Sequence, residues 1–185
     1  MTQQYSIDTL LAQAGNRSDE RTGAVSTPIY LSTAYGHHGI GESTGFDYTR
    51  TKNPTRSVLE DTVAKLENGD RGFAFSSGMA AIQVLMNLFK GPDEWILSSD
   101  VYGGTYRLLD FAYKNNNSVK PVYVNTASLA EIEAAITVNT KAIFIETPSN
   151  PLMEECDVEE IAKLAKKHNL LMIVDLSLIH ISEPT

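Results

Sequence analysis

The sequence predicts an α/β fold with three layers, in which helices cover both faces of a mostly parallel sheet. From residue 72 onward, short apolar runs alternate with amphipathic stretches, and this βα order builds parallel sheets. The run at residues 170–174 is apolar without interruption, as in a strand buried on both faces. The 185 residues suffice for one domain with a core of its own.

The predicted helices carry start signals as well as an apolar face. Pro54 suits the first turn of the helix at residues 57–66. Ser128 and Asp157 are each followed three residues later by a glutamate, which is the spacing of a capping box. The predicted helices cover residues 9–14, 57–66, 79–89, 106–113, 128–136 and 157–167, and the predicted strands cover residues 72–75, 95–97, 121–124, 142–145 and 170–174.

Composition and charge exclude several classes of protein. The formal net charge of −8 argues against a nucleic-acid groove, and the single cysteine, Cys156, excludes an intramolecular disulfide. His37 and His38 lack metal-ligand partners at a suitable spacing, so no metal site is predicted. The first residues do not resemble a signal peptide, and no apolar stretch approaches the roughly 20 residues of a membrane span. We therefore expect a cytoplasmic protein without a membrane or nucleic-acid partner.

An irregular segment rich in glycine and turn formers occupies residues 15–45. Such a segment packs poorly by itself, so we expect it to wrap around another part of the fold or around a partner subunit. Shortly after it, Arg50 stands near Tyr48, and its forked set of donors suits a phosphate group. An ordinary surface position for this arginine is the alternative.

The first candidate binding element is the turn between a predicted strand and the helix at residues 79–89. It contains Ser77 and Gly78, followed by Met79 at the helix start. Unpaired backbone N–H groups and the helix dipole attract anions at such a start, and small residues let a phosphate approach. The alternative is a serine N-cap on a buried helix.

Further candidates follow later strands of the same sheet. Tyr102 could cover a flat cofactor ring, or could be a turn tyrosine whose ring faces the core. Glu146 and Asn150 place a carboxylate and an amide in a proline-stiffened loop, or belong to an ordinary proline-rich turn. Asp175 ends the last strand, at the edge where α/β folds bind ligands. A carboxylate facing a pyridine nitrogen, with a phosphate at a helix start, is the arrangement that pyridoxal phosphate requires.

Six ordered motifs resemble the pyridoxal-phosphate enzymes of cysteine and methionine metabolism, the trans-sulfuration family of cystathionine γ-synthase and the cystathionine lyases. They are Tyr48-Thr49-Arg50, Asn53-Pro54-Thr55-Arg56, Ser76-Ser77-Gly78-Met79-Ala80-Ala81, Asp100-Val101-Tyr102-Gly103-Gly104-Thr105, Glu146-Thr147-Pro148-Ser149-Asn150-Pro151 and Val174-Asp175. The resemblance implies an incomplete large domain of the fold-type I pyridoxal-phosphate transferases. It also implies an amino-acid substrate and a homo-oligomer, a tetramer built from dimers.

The resemblance implies a role for each site residue. Ser77, Gly78 and Met79 would bind the cofactor phosphate, and Tyr102 would stack on the ring as the catalytic-site aromatic. Asn150 would hold the 3-oxygen of the ring, Glu146 would support that loop, and Asp175 would keep the ring nitrogen protonated. Tyr48 and Arg50 would reach the phosphate in the neighbouring subunit.

The resemblance also sets expectations for the reaction and the domains. Residues 32–35 and 39–45 resemble the branch that performs γ-replacement on an O-acylhomoserine, giving cystathionine or homocysteine, and a cystathionine β- or γ-lyase is the alternative. The family's Schiff-base lysine follows in a later segment, so an inactive fragment or a cofactor-binding remnant is a further alternative. We expect an N-terminal arm at residues 1–55, a partial cofactor-binding domain at 56–175 and a non-native tail at 176–185, where the sequence departs from the family pattern.

Overall fold

The chain forms two compact units, Met1–Ala74 and Phe75–Thr185. The computed structural model describes residues 5–16 and 19–178. Most of the predicted non-native tail, residues 179–185, lies outside these ranges. Within the described ranges, no helix is both long and apolar enough to cross a membrane.

In its described residues, the first unit contains two helices, α1 (Ile7–Ala12) and α2 (Pro54–Leu66). Helix α1 begins two residues earlier than predicted, because Ser6 caps it by accepting from the N–H of Thr9. Helix α2 begins at Pro54 because Asn53 Oδ1 accepts from the N–H groups of the two residues after that proline, at 2.8 and 3.4 Å. The Asn53 amide also donates to the carbonyl of Tyr30 at 3.1 Å, which fixes the irregular segment to this cap.

The second unit is built on a four-stranded parallel sheet in the order β2-β1-β3-β4. The strands are β1 (Glu94–Ser98), β2 (Lys120–Val124), β3 (Thr140–Glu146) and β4 (Leu171–Asp175), and the helices are α3 (Gly78–Met86), α4 (Gly103–Asn116), α5 (Leu129–Ala134) and α6 (Val158–Lys167). Both central strands are almost wholly buried. The predicted parallel sheet is therefore confirmed.

Two apolar clusters lie on opposite faces of this sheet. Trp95 and Leu97 of β1 point to one face, where they pack with residues of α3 and α4 such as Met86 and Leu109. Ile96 points to the other face and packs with residues of α5 and α6. Because successive side chains of a strand alternate between faces, β1 serves both clusters and the unit has three layers.

The N-caps predicted at Ser128 and Asp157 are confirmed, although the glutamate of each capping box has a different partner. Ser128 and Asp157 both accept hydrogen bonds from the backbone N–H three residues later, at 3.3 and 3.0 Å. The glutamates of the two boxes do not return the bond: Glu131 accepts from the N–H of Asn125, and Glu160 pairs with Lys163. Each box is thus only half formed.

The predicted strand at residues 72–75 was wrong. These residues pair with no strand in the described part of the chain, and Phe73 is 70% exposed. The N–H of Ala74 donates instead to the side chain of Glu60, at 3.0 Å. An alternating apolar pattern forms a strand only where a neighbouring strand offers its backbone. The predicted helix 79–89 also ends early, at Met86, where Asn87 takes the C-cap position.

Candidate active site

A cavity of about 400 Å³ opens at the carboxyl edge of the sheet in the second unit. Parallel neighbouring strands bring the ends of β3 and β4 together there, with Glu146 directly opposite Asp175 in the register. The start of α3 and the start of α4 border the same opening. The cavity is lined by Ser77, Gly78, Met79, Ile82, Tyr102, Glu146, Asn150, Asp175, Ser177 and Leu178.

The start of α3 presents unpaired backbone donors to this cavity. Ser77 is the N-cap, and its hydroxyl accepts from the N–H of Ala80 at 3.1 Å. Among the described residues, the N–H groups of Gly78 and Met79 have no hydrogen-bond partner. A Cβ on Gly78 would meet no atom within 4 Å, so the space beside this backbone is open. The serine cap and an anion-accepting helix start are therefore compatible.

Tyr102 precedes α4 and is held through its backbone. Its N–H donates to Glu146 Oε2 at 2.6 Å, and its side chain is 46% exposed at the cavity. A Cβ on Gly104 would lie 2.4 Å from Tyr102 Cε1 and 3.1 Å from Met79 Sδ. Only glycine at position 104 leaves room for the Tyr102 ring against this turn. The sequence alone did not reveal this role of Gly104.

Glu146 is a buried carboxylate at the carboxyl edge of the sheet. Burial raises the pKa of Glu146, and the nearby charges of Asp175 and Asp100 raise it further. The backbone N–H groups of Tyr102 and Asn150 lower the same pKa in part. Glu146 therefore binds the turn before α4 at the cost of holding a charge in a poorly hydrated position.

The loop that carries Asn150 is tied to the end of β1. Asp100 Oδ2 accepts from Ser149 Oγ at 2.5 Å and from the N–H of Leu152 at 3.0 Å. Ser149 is only 1% exposed, and its Oγ also accepts from the N–H of Glu154 at 2.9 Å. Asn150 itself is exposed beside it. Sequence reasoning assigned no role to Asp100 or Ser149, although a serine between two prolines was the available signal.

Asp175 ends β4 with one carboxylate oxygen engaged. Its Oδ1 accepts from the backbone N–H of Ser177 at 3.0 Å and from the Ser177 hydroxyl. Its Oδ2 has no hydrogen-bond partner within the part of the chain that the structure describes. One acceptor at the cavity thus remains available to a donor from a ligand.

Tyr48 and Arg50 belong to the first unit, where they contact each other. Arg50 Nη2 donates to Tyr48 Oη at 2.7 Å, and the guanidinium carbon lies 5.2 Å from the centre of the tyrosine ring. Backbone pairing between Ala34 and Tyr48 holds this part of the irregular segment. A cation and a phenol hydroxyl are therefore presented together.

A family model described as Cys/Met metabolism PLP-dependent enzyme matches residues 8–180. The chain belongs to this family. The trans-sulfuration resemblance inferred from the motifs is thereby confirmed, and so is pyridoxal phosphate as the cofactor of the family.

Named relatives within this family include synthases and lyases. The chain is 89% identical over 175 residues to cystathionine γ-synthase of Haemophilus influenzae, covering 95% of this chain and 47% of that protein. It is 62% identical over 169 residues to cystathionine γ-synthase/O-acetylhomoserine (thiol)-lyase of Bacillus subtilis, covering 91% and 45%. The chain spans about half the length of the curated relatives it matches.

Solved structures confirm the fold class. Cystathionine γ-lyase from Lactobacillus plantarum, solved with L-serine, aligns with a TM-score of 0.89 and 44% identity over 95% of this chain and 46% of that one. Cystathionine γ-synthase from Xanthomonas oryzae, solved with aminoacrylate and cysteine, aligns with a TM-score of 0.87 and 34% identity over 94% and 45%. The sheet and helices of the second unit are thus part of the fold-type I large domain predicted for the family.

The cavity has the chemical groups that the cofactor of the Cys/Met metabolism family needs. Pyridoxal phosphate carries an anionic phosphate, a flat ring, a 3-oxygen and a ring nitrogen. The unpaired N–H groups at Gly78 and Met79 suit the phosphate, and the exposed ring of Tyr102 suits a flat partner. Asn150 offers an amide and Asp175 an unpaired oxygen. The donor set therefore fits.

Proposed function

We propose that the full-length protein carrying this sequence is a pyridoxal-phosphate-dependent γ-replacement enzyme of methionine and cysteine metabolism. Its substrate is an O-acylhomoserine. When cysteine is the nucleophile the product is cystathionine, and when sulfide is the nucleophile the product is homocysteine. The observation that carries this proposal is the 89% identity to the Haemophilus influenzae cystathionine γ-synthase across 95% of the chain. The cavity at the carboxyl edge of the sheet supports it, because its donors match the cofactor.

Within this proposal the start of α3 binds the phosphate of the cofactor. The backbone N–H groups of Gly78 and Met79 donate to it, and the Ser77 cap holds the first turn of the helix in place. Tyr102 covers one face of the ring and keeps water from it. Asn150 donates its amide to the 3-oxygen, and Glu146 positions Tyr102 through its backbone.

Asp175 interacts with the ring nitrogen through its unpaired carboxylate oxygen. A carboxylate beside a pyridine nitrogen favours the protonated, cationic ring. When bound, pyridoxal phosphate withdraws electrons from the α-carbon of an amino-acid substrate. The task of Asp175 is therefore to hold one proton on one atom, and the lysine that forms the Schiff base is expected from the remainder of the full-length protein.

The first unit serves the neighbouring subunit in this proposal. Residues 1–55 form an arm that delivers Tyr48 and Arg50 to the phosphate of the partner, within a tetramer built from dimers. Several large apolar side chains of this arm are exposed: Val25, Ile29, Leu31 and Ile40. Leu31 is 90% exposed. Apolar side chains concentrated on one segment favour burial against another subunit.

The domain limits and location complete the proposal. Residues 56–175 form the cofactor-binding part, although α2 groups with the first unit, which ends at Ala74. The single cysteine is in keeping with a reducing cytoplasm.

A product assay with the full-length protein tests the reaction. Supplied with an O-acylhomoserine and L-cysteine, it is expected to form cystathionine faster than it cleaves cystathionine. Net cleavage of cystathionine would favour the lyase alternative, which is supported by 49% identity to cystathionine γ-lyase of Bacillus subtilis over 167 residues. Product formation should require both Tyr102 and Asp175, and the matched control is Asp110→Ala, which removes an exposed ion pair with Lys114 on α4.

Cofactor titration of the 185-residue chain itself separates the remaining alternatives. Pyridoxal phosphate that binds reversibly without turnover would identify this chain as a cofactor-binding remnant. No binding would identify it as an inactive fragment.

A further inference from the structure

The loop with Asn150 and the turn with Tyr102 are joined by two hydrogen-bonded links that run in opposite directions. Asp100, two residues after β1, accepts from Ser149 and Leu152 in the loop after β3. Glu146, from the end of β3, accepts from the N–H of Tyr102 in the turn after β1. Each segment therefore supplies one carboxylate to the other.

Ser149 is the central residue of the first link. Its hydroxyl donates to Asp100 and accepts from the N–H of Glu154, and its own N–H donates to the carbonyl of Glu154 at 3.0 Å. The side chain is almost fully buried, whereas the adjacent Asn150 is exposed. A buried polar side chain with all its bonds made fixes the backbone beside it.

We infer that Asp100 is a positioning residue that holds Asn150 at the cofactor ring by way of Ser149. This inference rests on the proposed function, because it takes Asn150 as the partner of the 3-oxygen of pyridoxal phosphate. Asp100 does not line the cavity, so it acts through the loop and not by contact.

The physical reason is preorganisation. An exposed amide on a loop must lose conformational freedom to bind a ligand atom, and affinity falls when that loss occurs on binding. The hydrogen bonds from Ser149 and Leu152 to Asp100 order the loop before the cofactor binds. Loss of Asp100 leaves the buried Ser149 hydroxyl without its acceptor, and the loop must rearrange.

The test uses the full-length holoenzyme and pyridoxal phosphate as the probe. The variants are Asp100→Ala, Ser149→Ala, their combination, and Asp100→Asn, which keeps one oxygen acceptor. Asn150→Ala is the reference, and Asp110→Ala on the exposed face of α4 is the matched control. Two quantities are measured, the dissociation constant of the cofactor and the pH midpoint of the absorbance change of bound cofactor. The midpoint reports the hydrogen bond to the 3-oxygen and does not follow a general loss of stability.

Asp100→Ala and Ser149→Ala should each weaken cofactor binding about tenfold, the effect of one lost hydrogen bond. Both should move the pH midpoint in the direction of Asn150→Ala. The loss in the combined variant should be smaller than the sum of the two single losses, because both substitutions remove the bond between Ser149 and Asp100. Asp100→Asn should restore most of the wild-type midpoint, and Asp110→Ala should leave it unchanged.

Two outcomes overturn the inference and are distinguishable. A midpoint that moves in Asn150→Ala but in neither Asp100→Ala nor Ser149→Ala removes the positioning role and leaves the proposed function intact. A midpoint that does not move in Asn150→Ala removes Asn150 from the cofactor, and both the inference and that part of the proposed function fail. If Asp100→Ala does not fold, Ser149→Ala carries the same comparison.

Discussion

Glu146 is a residue of the candidate site whose charge state affects the stability of the protein. The pKa of its carboxyl is raised above the ordinary value near 4.5, chiefly by burial. Between that value and the raised pKa, the folded chain binds more protons at Glu146 than the unfolded chain does. The stability of the protein should therefore fall as pH rises through this window.

Glu146→Gln tests this dependence, since glutamine keeps an oxygen that can accept from the N–H of Tyr102. The variant should not lose stability in this way as pH rises. Its free energy of unfolding should therefore increase relative to that of the wild type above pH 4.5. The measurement is urea unfolding at several pH values without added cofactor. Glu159→Gln, at an exposed ion pair on α6, is the control. A constant difference between wild type and Glu146→Gln across pH would contradict the account.

Gly104 determines the position of the Tyr102 ring. Gly104→Ala adds a Cβ that would sit 2.4 Å from the ring, so the ring or the turn must shift. Overpacking of this kind costs about 1–3 kcal/mol. We expect weaker cofactor binding by the full-length protein, measured by equilibrium dialysis. Gly69→Ala, where a Cβ meets only ordinary contacts at 3.8 Å, should bind as wild type, and equal affinity in both variants would refute the steric role.

Residues of the candidate site differ in how far the sequence reveals them. Ser77 and Gly78 could be found from the sequence because a helix start is a local pattern. Asp100 and Ser149 could not, because their contact joins positions 49 residues apart and depends on the register of β1 against β3. The role of Gly104 could not be predicted either, because it consists of the space that the missing side chain leaves for the Tyr102 ring.

At the scale of elements, the amino ends of β1 and β2 are joined by one buried carboxylate. Glu94 accepts from Lys120 Nζ at 2.8 Å and from Thr137 Oγ1 at 2.6 Å. The bond from Lys120, followed by that from Thr137, lowers the pKa of Glu94. Its stabilisation is therefore present above the ordinary value of 4.5 and is lost as pH falls through the lowered pKa.

Glu94→Gln should lower the free energy of unfolding by about 1 kcal/mol at neutral pH. The value is modest because Lys120 is half-exposed. The difference should vanish in acid. Urea unfolding at neutral and acidic pH measures it, with Asp110→Asn as the control at an exposed pair. A deficit that persists unchanged in acid would show that charge is not its origin.

Elements were predictable where their signals were local. The five helices with a predicted start beyond residue 50 all formed, because caps and apolar faces lie within one segment. The strand at 72–75 was wrong, since its pattern says nothing about whether a partner strand is in reach. The remaining strands formed because the apolar runs that predict them pair with one another.

At the scale of the whole molecule, the two units would serve different active sites of the proposed dimer. Arg50 would serve the partner's cofactor, and Asp175 its own. Full-length Arg50→Ala and Asp175→Ala should each be inactive. When the two are mixed and reassembled, half of the dimers combine one of each and hold one intact site, so about a quarter of wild-type activity should return. No recovery from verified mixed dimers would place both residues in one subunit's site.

The most direct test is a crystal structure of the full-length protein with pyridoxal phosphate. The account predicts a ring nitrogen about 2.7–3.2 Å from an Asp175 oxygen, and a phosphate accepting from the N–H groups of Gly78 and Met79 at similar distances. The ring should lie against Tyr102, with Asn150 at its 3-oxygen. A cofactor bound elsewhere, or a ring nitrogen without contact to Asp175, would contradict the account.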